Sequence, residues 1–413
     1  MLKKIRVNQL RLGMHLHKLE GAWIQHPFWK TRFVIDSAQD LARLHGCGLD
    51  ECWIDAALGL DVAELVPAEP AAAAVRSTAP SPAAAERGPP EPQRPMAAEL
   101  KRAAEVCSRG REAVVAMFGE ARMGRAIDAE GCLPLVEEIS ASVSRNPGAL
   151  VSLARLKTKD DYSYMHSVAV CALMISLARQ LGLDDDACRE AGLAGLMHDI
   201  GKAVMPLEVL NKPGRLTEAE FDTMRTHPAR GRELLEEGQG VTEPTLDVVL
   251  HHHDRIDGTG YPKRLPAESI SQLACMGAVC DVYDAITSNR PYKAGWDPAE
   301  SIARMATWKG HFAPMMFSAF VRSLGIYPTG SLVRLESGRL AVVMEQSAAS
   351  LVKPVVKVFF STKSQLHLLP ERLDLSQRGC TDRIVGREAR VPGRFEHLDE
   401  LWVDPDALRR LRA

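Results

Sequence analysis

The run Ala187-Cys-Arg-Glu-Ala-Gly-Leu-Ala-Gly-Leu-Met-His198-Asp199-Ile-Gly-Lys202 decides the fold class of this 413-residue chain. Its apolar residues recur at intervals of three and four, which is the spacing of a helix and not of a strand. The same spacing appears in Ser167-Val-Ala-Val-Cys-Ala-Leu-Met-Ile-Ser-Leu-Ala-Arg179 and in other segments between residues 97 and 328. We therefore predict a mainly α protein whose central domain, residues 97–328, is a helical bundle.

The sequence ahead of the bundle predicts two further segments. Residues 1–65 combine a helical stretch at 37–45 with short β-leaning runs, which indicates a small α+β module. Those runs are Arg6-Val-Asn-Gln-Leu10, Arg32-Phe-Val-Ile-Asp36 and Glu51-Cys-Trp-Ile-Asp55. Residues 66–96 are rich in Ala and Pro and lack large apolar side chains, so we expect a flexible linker there.

Behind the bundle, strand-like runs predict a small β extension over residues 329–375. The runs are Ser331-Leu-Val-Arg-Leu335, Leu340-Ala-Val-Val-Met344 and Pro354-Val-Val-Lys-Val-Phe-Phe360. The charged tail at 376–413 suggests no function of its own.

Composition excludes several classes of function. The 51 Lys and Arg against 53 Asp and Glu leave no charge excess for a nucleic-acid polymer. No segment approaches the run of about 18 apolar residues that a membrane span needs. The nine cysteines form no Cys-x-x-Cys pair and are odd in number, which favours reduced thiols. We expect a cytoplasmic protein without membrane insertion.

The histidines of the helical region are spaced by roughly one helix and one loop. This spacing suits a centre to which several helices each contribute one inward-pointing ligand. These histidines are His166, His198, His227, His252 and His253. A single histidine on an apolar face is more often a hydrogen-bonded core residue than a ligand, so the spacing alone does not decide between the two.

Two clusters favour a metal site. Asp199 directly follows His198 at the end of an apolar stretch, and a buried carboxylate beside an imidazole needs a counter-charge that a metal ion supplies. The second cluster joins the His252-His253 pair to the turn-forming run Asp257-Gly-Thr-Gly-Tyr-Pro262. Asp281 is a third signal, because it lies in a run that otherwise reads as buried helix.

Taken together, these motifs resemble the ordered signatures of HD-GYP domains. The matching segments are His198-Asp-Ile-Gly-Lys202, His252-His-Asp-Arg-Ile-Asp-Gly-Thr-Gly-Tyr-Pro262 and Asp281-Val-Tyr-Asp-Ala-Ile-Thr-Ser-Asn-Arg-Pro-Tyr-Lys293. The resemblance spans about residues 145–325. The N-terminal module is similar, more loosely, to an uncharacterised domain that often precedes HD-GYP domains.

The resemblance implies roles for individual residues. It implies seven metal ligands, with Asp199 bridging two ions: His166, His198, Asp199, His227, His252, His253 and Asp281. It also implies that Lys202 contacts the scissile phosphate and that Asp284, Arg290 and Lys293 line the substrate site. Lys202 follows Asp199 by three residues, which on a helix would place both side chains on one face.

Two positions depart from the family pattern. Tyr162 stands four residues before His166, where some relatives have a glutamate that helps to bind a third metal, so we expect two metals. Asp254 follows the paired histidines where the family usually has glutamate, which shortens the side chain by one methylene and puts the rate in question. His251 falls outside the pattern. It is interpreted either as a solvated neighbour of the ligands or as a residue that contacts them from behind.

The resemblance implies a cyclic di-GMP phosphodiesterase in which a hydroxide bridging two metals attacks phosphorus. The first product would be pGpG, and a second cut would give GMP. The imidazole-rich ligand set suits transition metals, and the resemblance favours iron or manganese. Two alternatives stay open, namely a catalytically weak or inactive cyclic dinucleotide sensor and an HD phosphohydrolase of another nucleotide.

The sequence leaves the interactions with other proteins open. Signalling partners could bind through the N-terminal module or the Gly260-Tyr-Pro262 loop, and the sequence does not decide whether the chain forms a homodimer.

Overall fold

The computed structural model describes residues 2–20, 33–45, 51–61, 95–156, 162–289, 294–347, 350–390, 395 and 397–412. The chain divides into two compact units, Met1–Pro92 and Gln93–Ala413. Most of the predicted linker, residues 66–94, lies outside the described residues.

The N-terminal unit contains an antiparallel sheet with one helix. Its strands are β1 (Leu2–Arg6), β2 (His15–Glu20), β3 (Phe33–Val34) and β4 (Glu51–Asp55), in the order β1-β4-β2-β3, and its helix is α1 (Ala38–His45). The predicted strand at 6–10 is wrong, because β1 ends at Arg6 and a 3-10 helix follows. The Gln9 side chain accepts a hydrogen bond from the Arg6 backbone and favours that turn.

The helical part of the second unit confirms the predicted mainly α bundle. Its helices are α2 (Met96–Arg122), α3 (Leu133–Arg145), α4 (Pro147–Ala154), α5 (Tyr162–Gln180), α6 (Asp185–Met197), α7 (Leu207–Leu210), α8 (Glu218–Met224), α9 (His227–Glu236), α10 (Glu243–His251), α11 (Gln272–Thr287), α12 (Pro298–Met305) and α13 (Pro314–Leu324). Helix α5 is central and packs against α2, α4, α6, α11 and α13. This position explains why Val168–Ala178 is buried all round. No helix in the described parts of the chain is both long and apolar enough to span a bilayer.

Polar side chains cap the helices that surround the centre of the bundle. Asp184 accepts from the third residue of α6, Thr242 from that of α10 and Ser271 from that of α11. Thr217 and Glu220 form a reciprocal capping box on α8. These caps fix where each helix begins and therefore which residues reach the bundle interior.

A five-stranded antiparallel sheet follows the bundle. Its strands are β5 (Leu332–Leu335), β6 (Arg339–Ser347), β7 (Ser350–Ser361), β8 (Leu366–Asp374) and β9 (Ile384–Arg387), in the order β8-β7-β6-β5-β9. The three predicted strands are present, but the sheet extends beyond residue 375 because β9 pairs with β5. The predicted tail also contains a last helix, α14 (Pro405–Arg412), which packs on α2.

Candidate metal centre

Five helices and the segments at their ends bring all seven predicted metal ligands to one place. They contribute His166 from α5, His198 and Asp199 from the end of α6, His227 from the start of α9, His252 and His253 from the end of α10, and Asp281 from α11. Six of these residues are at most 7% exposed, whereas the His253 side chain is 21% exposed. The cluster is therefore a buried centre with its opening beside His253.

One group of donor atoms surrounds one oxygen of Asp199. The Nε2 atoms of His166 and His198 lie 3.3 Å apart, and they lie 3.5 and 3.4 Å from Asp199 Oδ2. Asp281 Oδ1 is 3.0 Å from His166 Nε2. Each of these residues can therefore direct a ligand atom to a common point.

A second group surrounds the other oxygen of Asp199. His227 Nε2 and His252 Nε2 lie 3.2 and 3.8 Å from Asp199 Oδ1 and 3.4 Å from each other. Nδ1 of His253 is 3.7 Å from Asp281 Oδ2. The carboxylate of Asp199 is thus shared by the two groups, one oxygen facing each.

Hydrogen bonds behind the ligands orient four of the imidazoles. Nδ1 of His198 lies 2.8 Å from the Gly195 carbonyl, and Nδ1 of His227 lies 2.8 Å from that of Met224. Nδ1 of His252 lies 3.0 Å from the Val249 carbonyl oxygen, and Nδ1 of His166 lies 2.6 Å from Asp284 Oδ2. Because Nδ1 then carries a proton, the Nε2 atom of each ring is directed into the centre, as metal binding requires.

Electrostatics keep Asp199, Asp281, His252 and His253 in the protonation states that bind metal. Burial by itself would raise the pKa of Asp199, but the Lys202 ammonium and the neighbouring histidines hold it well below its ordinary value. Burial would also raise the pKa of Asp281, but the His166 hydrogen bond and the charge interactions with the surrounding histidines together hold it well below its ordinary value. Burial lowers the pKa of His252 strongly and that of His253 to about 3. At neutral pH these four residues therefore offer two carboxylates and two neutral imidazoles.

These residues fit a pair of metal ions. The buried Oδ1 of Asp199 receives no hydrogen bond of normal geometry from any described residue, although His227 Nε2 lies 3.2 Å away. An ionised oxygen in that position needs a cation. Two overlapping donor sets, His166-His198-Asp199 and Asp199-His227-His252-His253, can supply the ligands.

Of the residues predicted to bind the phosphate or the rest of the substrate, the structure describes Lys202 and Asp284. Lys202 lies on a 3-10 helix, Ile200–Val204, and its Nζ donates to Asp199 Oδ2 while the side chain stays 24% exposed. Arg290 and Lys293 lie outside the described residues.

Asp284 requires a correction. It is 2% exposed and its Oδ2 lies 2.6 Å from His166 Nδ1, so this oxygen supports a ligand from behind. Asp281 and Asp284 are three residues apart on one face of α11, so both side chains reach His166. The resemblance implied a contact of Asp284 with the substrate and did not indicate this contact with a ligand. A cavity of about 460 Å³ is lined in part by Asp284 and by none of the seven predicted ligands.

The structure also gives His251 and Asp254 a role that the sequence did not predict. His251 Nδ1 lies 2.7 Å from Asp254 Oδ2, and Asp254 Oδ1 accepts from the Leu265 backbone at 3.4 Å. Asp254 is 3% exposed. The pair therefore ties the end of α10 to the loop after Pro262. In the sequence, the only signal for this pair was that His251 and Asp254 are three residues apart, a spacing at which side chains can meet.

Comparisons with known proteins agree with this geometry. Residues 140–315 match the family described as HD domain, and residues 2–132 match a domain of unknown function, DUF3391. A cyclic di-GMP phosphodiesterase of Pseudomonas aeruginosa is 56% identical over 404 residues, which cover 98% of this chain and 96% of the relative.

Two other relatives match the helical part. The cyclic di-GMP phosphodiesterase response regulator RpfG of Xanthomonas campestris is 40% identical over 148 residues, covering 35% of this chain and 39% of the relative. A 3'3'-cGAMP-specific phosphodiesterase of Vibrio cholerae is 34% identical over 169 residues, covering 40% of this chain and 38% of the relative. The resemblance to HD-GYP domains is confirmed, and the chain belongs to the HD-domain family, with DUF3391 ahead of its HD domain.

Proposed function

We propose that this chain is a metal-dependent phosphodiesterase that hydrolyses cyclic di-GMP to pGpG and then to GMP. The observation that carries the proposal is the Asp199 carboxylate, which is shared by two groups of ligand atoms with the Lys202 ammonium beside it. The relative that is 56% identical along almost the whole chain is a cyclic di-GMP phosphodiesterase, which supports the same reaction.

The seven predicted ligands would hold two divalent transition-metal ions, for which iron or manganese is our proposal. Neutral imidazoles with carboxylates are ligands that such metals accept more readily than calcium or magnesium does. When bound, a pair of such ions supplies an activated water and neutralises charge on the phosphate.

The chain's own residues hold, enclose and complement the reacting group. Burial keeps His252 and His253 neutral, and the nearby positive charges keep Asp199 ionised, so none of these three residues must lose a proton before the site forms. Because the other ligands are buried, a phosphodiester reaches the centre from the side of His253 and Lys202.

Lys202 stabilises the charge that develops on the phosphate oxygens. Its ammonium is already held beside the centre by Asp199, so little reorganisation is needed during the reaction. Arg290 and Lys293 remain predicted contacts for the second phosphate or the bases. Asp284 acts behind His166 in this account and does not touch the substrate.

The test is turnover by anaerobically purified protein loaded with iron or manganese. We expect release of pGpG and GMP from cyclic di-GMP, no turnover by Asp199→Ala, and about 10²- to 10³-fold slower turnover by Lys202→Ala. Arg230→Ala, an exposed change on α9, is the control.

The same assay separates the competing functions. Faster turnover of 3'3'-cGAMP than of cyclic di-GMP would assign the substrate of the Vibrio relative instead. Tight binding of cyclic di-GMP by metal-loaded protein without any product would contradict the enzyme and support a sensor.

We also propose a cytoplasmic location. The eight cysteines in the described part of the chain are free thiols, and six of them are buried. Free, buried thiols are the ordinary state of cysteine in a reducing compartment. Partner binding through the N-terminal unit and homodimer formation stay predictions.

A further inference from the structure

The open side of the metal centre is bordered by an aromatic ring. Tyr261 lies on His253, with ring centroids 4.6 Å apart and ring planes inclined by 30°. Its backbone N–H also donates to the His253 carbonyl at 3.2 Å. The ring therefore has a fixed position beside the ligand at the entrance.

Phe221 and Arg225, from α8 and the residue after it, extend this border. The guanidinium carbon of Arg225 lies 4.4 Å from the Phe221 ring centroid and 5.8 Å from that of Tyr261. The two rings are 6.5 Å apart and nearly perpendicular. We call Phe221, Arg225 and Tyr261 the stacking surface.

Phe221 and Arg225 of the stacking surface are exposed in a way that packing does not explain. Phe221 is 39% exposed, whereas Phe312 and Phe317 of the same unit are 8% and 6% exposed. The Arg225 side chain is 45% exposed although it pairs with Asp222 at 3.2 Å. None of the residues of α8 is buried, so Phe221 does not anchor this helix in the core.

The chain path holds the stacking surface at the metal centre. Arg225 precedes the ligand His227 by only two residues, and the Met224 carbonyl receives the Nδ1–H of His227. Tyr261 is joined to His253 by the contacts described above. A phosphate beside Lys202 and His253 would therefore have its attached nucleoside next to flat groups.

Purine bases bind to flat groups of this kind. Aromatic rings and guanidinium planes stack on any base face, and the interaction tolerates different bases. We propose that Phe221, Arg225 and Tyr261 form a subsite for one purine base of the cyclic dinucleotide. This inference rests on the proposed function and extends it by giving the substrate's base a binding site.

The test compares cyclic di-GMP as the substrate with inorganic phosphate as a competitive inhibitor, because phosphate can bind at the metal centre but carries no ring that could stack. We expect Phe221→Ala and Arg225→Ala to raise KM for cyclic di-GMP about fivefold or more, with a smaller change in kcat. Their inhibition constant for inorganic phosphate and their metal content should stay within about twofold of wild type.

Matched variants separate stacking from charge and from folding. Phe221→Trp should keep a KM near that of wild type, whereas Arg225→Lys should not, because an ammonium has no stacking plane. Arg230→Ala is the control, since Arg230 pairs with Glu233 three residues away just as Arg225 pairs with Asp222. It should leave both the KM for cyclic di-GMP and the inhibition constant for phosphate unchanged.

An unchanged KM for cyclic di-GMP in both alanine variants would overturn the subsite. Equally weakened binding of cyclic di-GMP and of inorganic phosphate, together with loss of metal, would overturn it in favour of a role in holding the loop. Dissociation constants for cyclic di-GMP, measured in parallel on metal-loaded protein, give the same comparison if wild type does not turn over. An absence of turnover by wild type would contradict the proposed phosphodiesterase activity, and the dissociation constants would then decide whether the subsite exists.

Discussion

Single residues around the metal centre show both what a motif can predict and what it cannot. The seven ligands were predicted from the motif, and the structure brings all seven together. Asp284 belongs to the same motif, yet its carboxylate is directed at His166 Nδ1. A sequence gives the spacing of residues along a helix, but the neighbouring helix decides which side of a ligand each one reaches.

Asp284 should control metal binding through His166. Asp284→Ala removes the partner of Nδ1, and we expect about a 10- to 100-fold loss of metal affinity or of kcat. Asp284→Asn keeps an acceptor and should lose less. Titration with manganese and steady-state kinetics measure both effects.

Ser288→Ala is the control for Asp284, because Ser288 donates at 3.2 Å to Oδ1 of Asp284 and not to the Oδ2 atom that faces His166. If Asp284→Ala bound manganese as tightly as wild type, the assignment of Asp284 as a positioning residue would be wrong.

His311 should contribute a pH dependence to stability. Burial, with help from Arg255, lowers the pKa of His311 to about 4, and its ring stacks on Phe312 at 4.3 Å. The unfolded chain binds this proton near pH 6.5, so the stabilisation is complete above pH 6.5 and is lost as pH falls towards 4. His311→Phe keeps an aromatic ring without the proton. Its Tm should fall less than that of wild type between pH 6.5 and 4, and parallel Tm curves would contradict the assignment.

At the scale of elements, the close approach of two segments determines the distance between ligands of the metal centre. The 3-10 helix Ile200–Val204, which carries Lys202, runs against the start of α9. A Cβ added at Gly201 would lie 1.9 Å from the His227 carbonyl oxygen and 2.5 Å from the Gly231 nitrogen. Only glycine therefore lets Asp199 and His227 come within reach of one metal.

Two Gly→Ala changes should have opposite signs. Gly201→Ala forces the segments apart, and we expect about 1–3 kcal/mol of lost stability with reduced metal binding. Gly119→Ala lies within α2, where an added Cβ meets nothing within 4 Å, and should stabilise by about 0.5–1 kcal/mol. Thermal unfolding and manganese titration check both. A Gly201→Ala protein with wild-type stability and metal affinity would show that the close approach is not required.

The elements also show why some predictions failed. Helices of the bundle were predictable because their apolar spacing is long and regular, as in α5 and α6. Strand β8 was missed because most of its side chains are exposed and give little alternation. Strand β9 is four residues long and half exposed, so only its pairing with β5 identifies it.

At the scale of the whole molecule, the C-terminal segment is part of the second unit. Trp402 is 3% exposed, its Nε1 donates to Asp399 at 3.3 Å, and the Arg155 guanidinium lies 6.0 Å from its ring. Arg410 of α14 pairs with Glu105 of α2. The sequence could not reveal this, because its charge-rich pattern is equally typical of a solvated tail.

Trp402→Ala should therefore destabilise the second unit. A buried tryptophan truncated to alanine costs about 3–5 kcal/mol, mostly through the cavity it leaves. Thermal unfolding of the full chain measures the loss, and the exposed change Leu369→Ala is the control. Equal stability of Trp402→Ala and wild type would mean that the segment is not packed as described.

The central claim is that Asp199 joins two metal sites at which a phosphodiester is cut. The most direct measurement is anomalous X-ray diffraction from crystals of the manganese-loaded protein, which counts and locates the ions. The account predicts two ions, one within the His166-His198-Asp199 group and one within the Asp199-His227-His252-His253 group, with the Asp199 carboxylate between them. A single ion, or two ions that do not share Asp199, would contradict it.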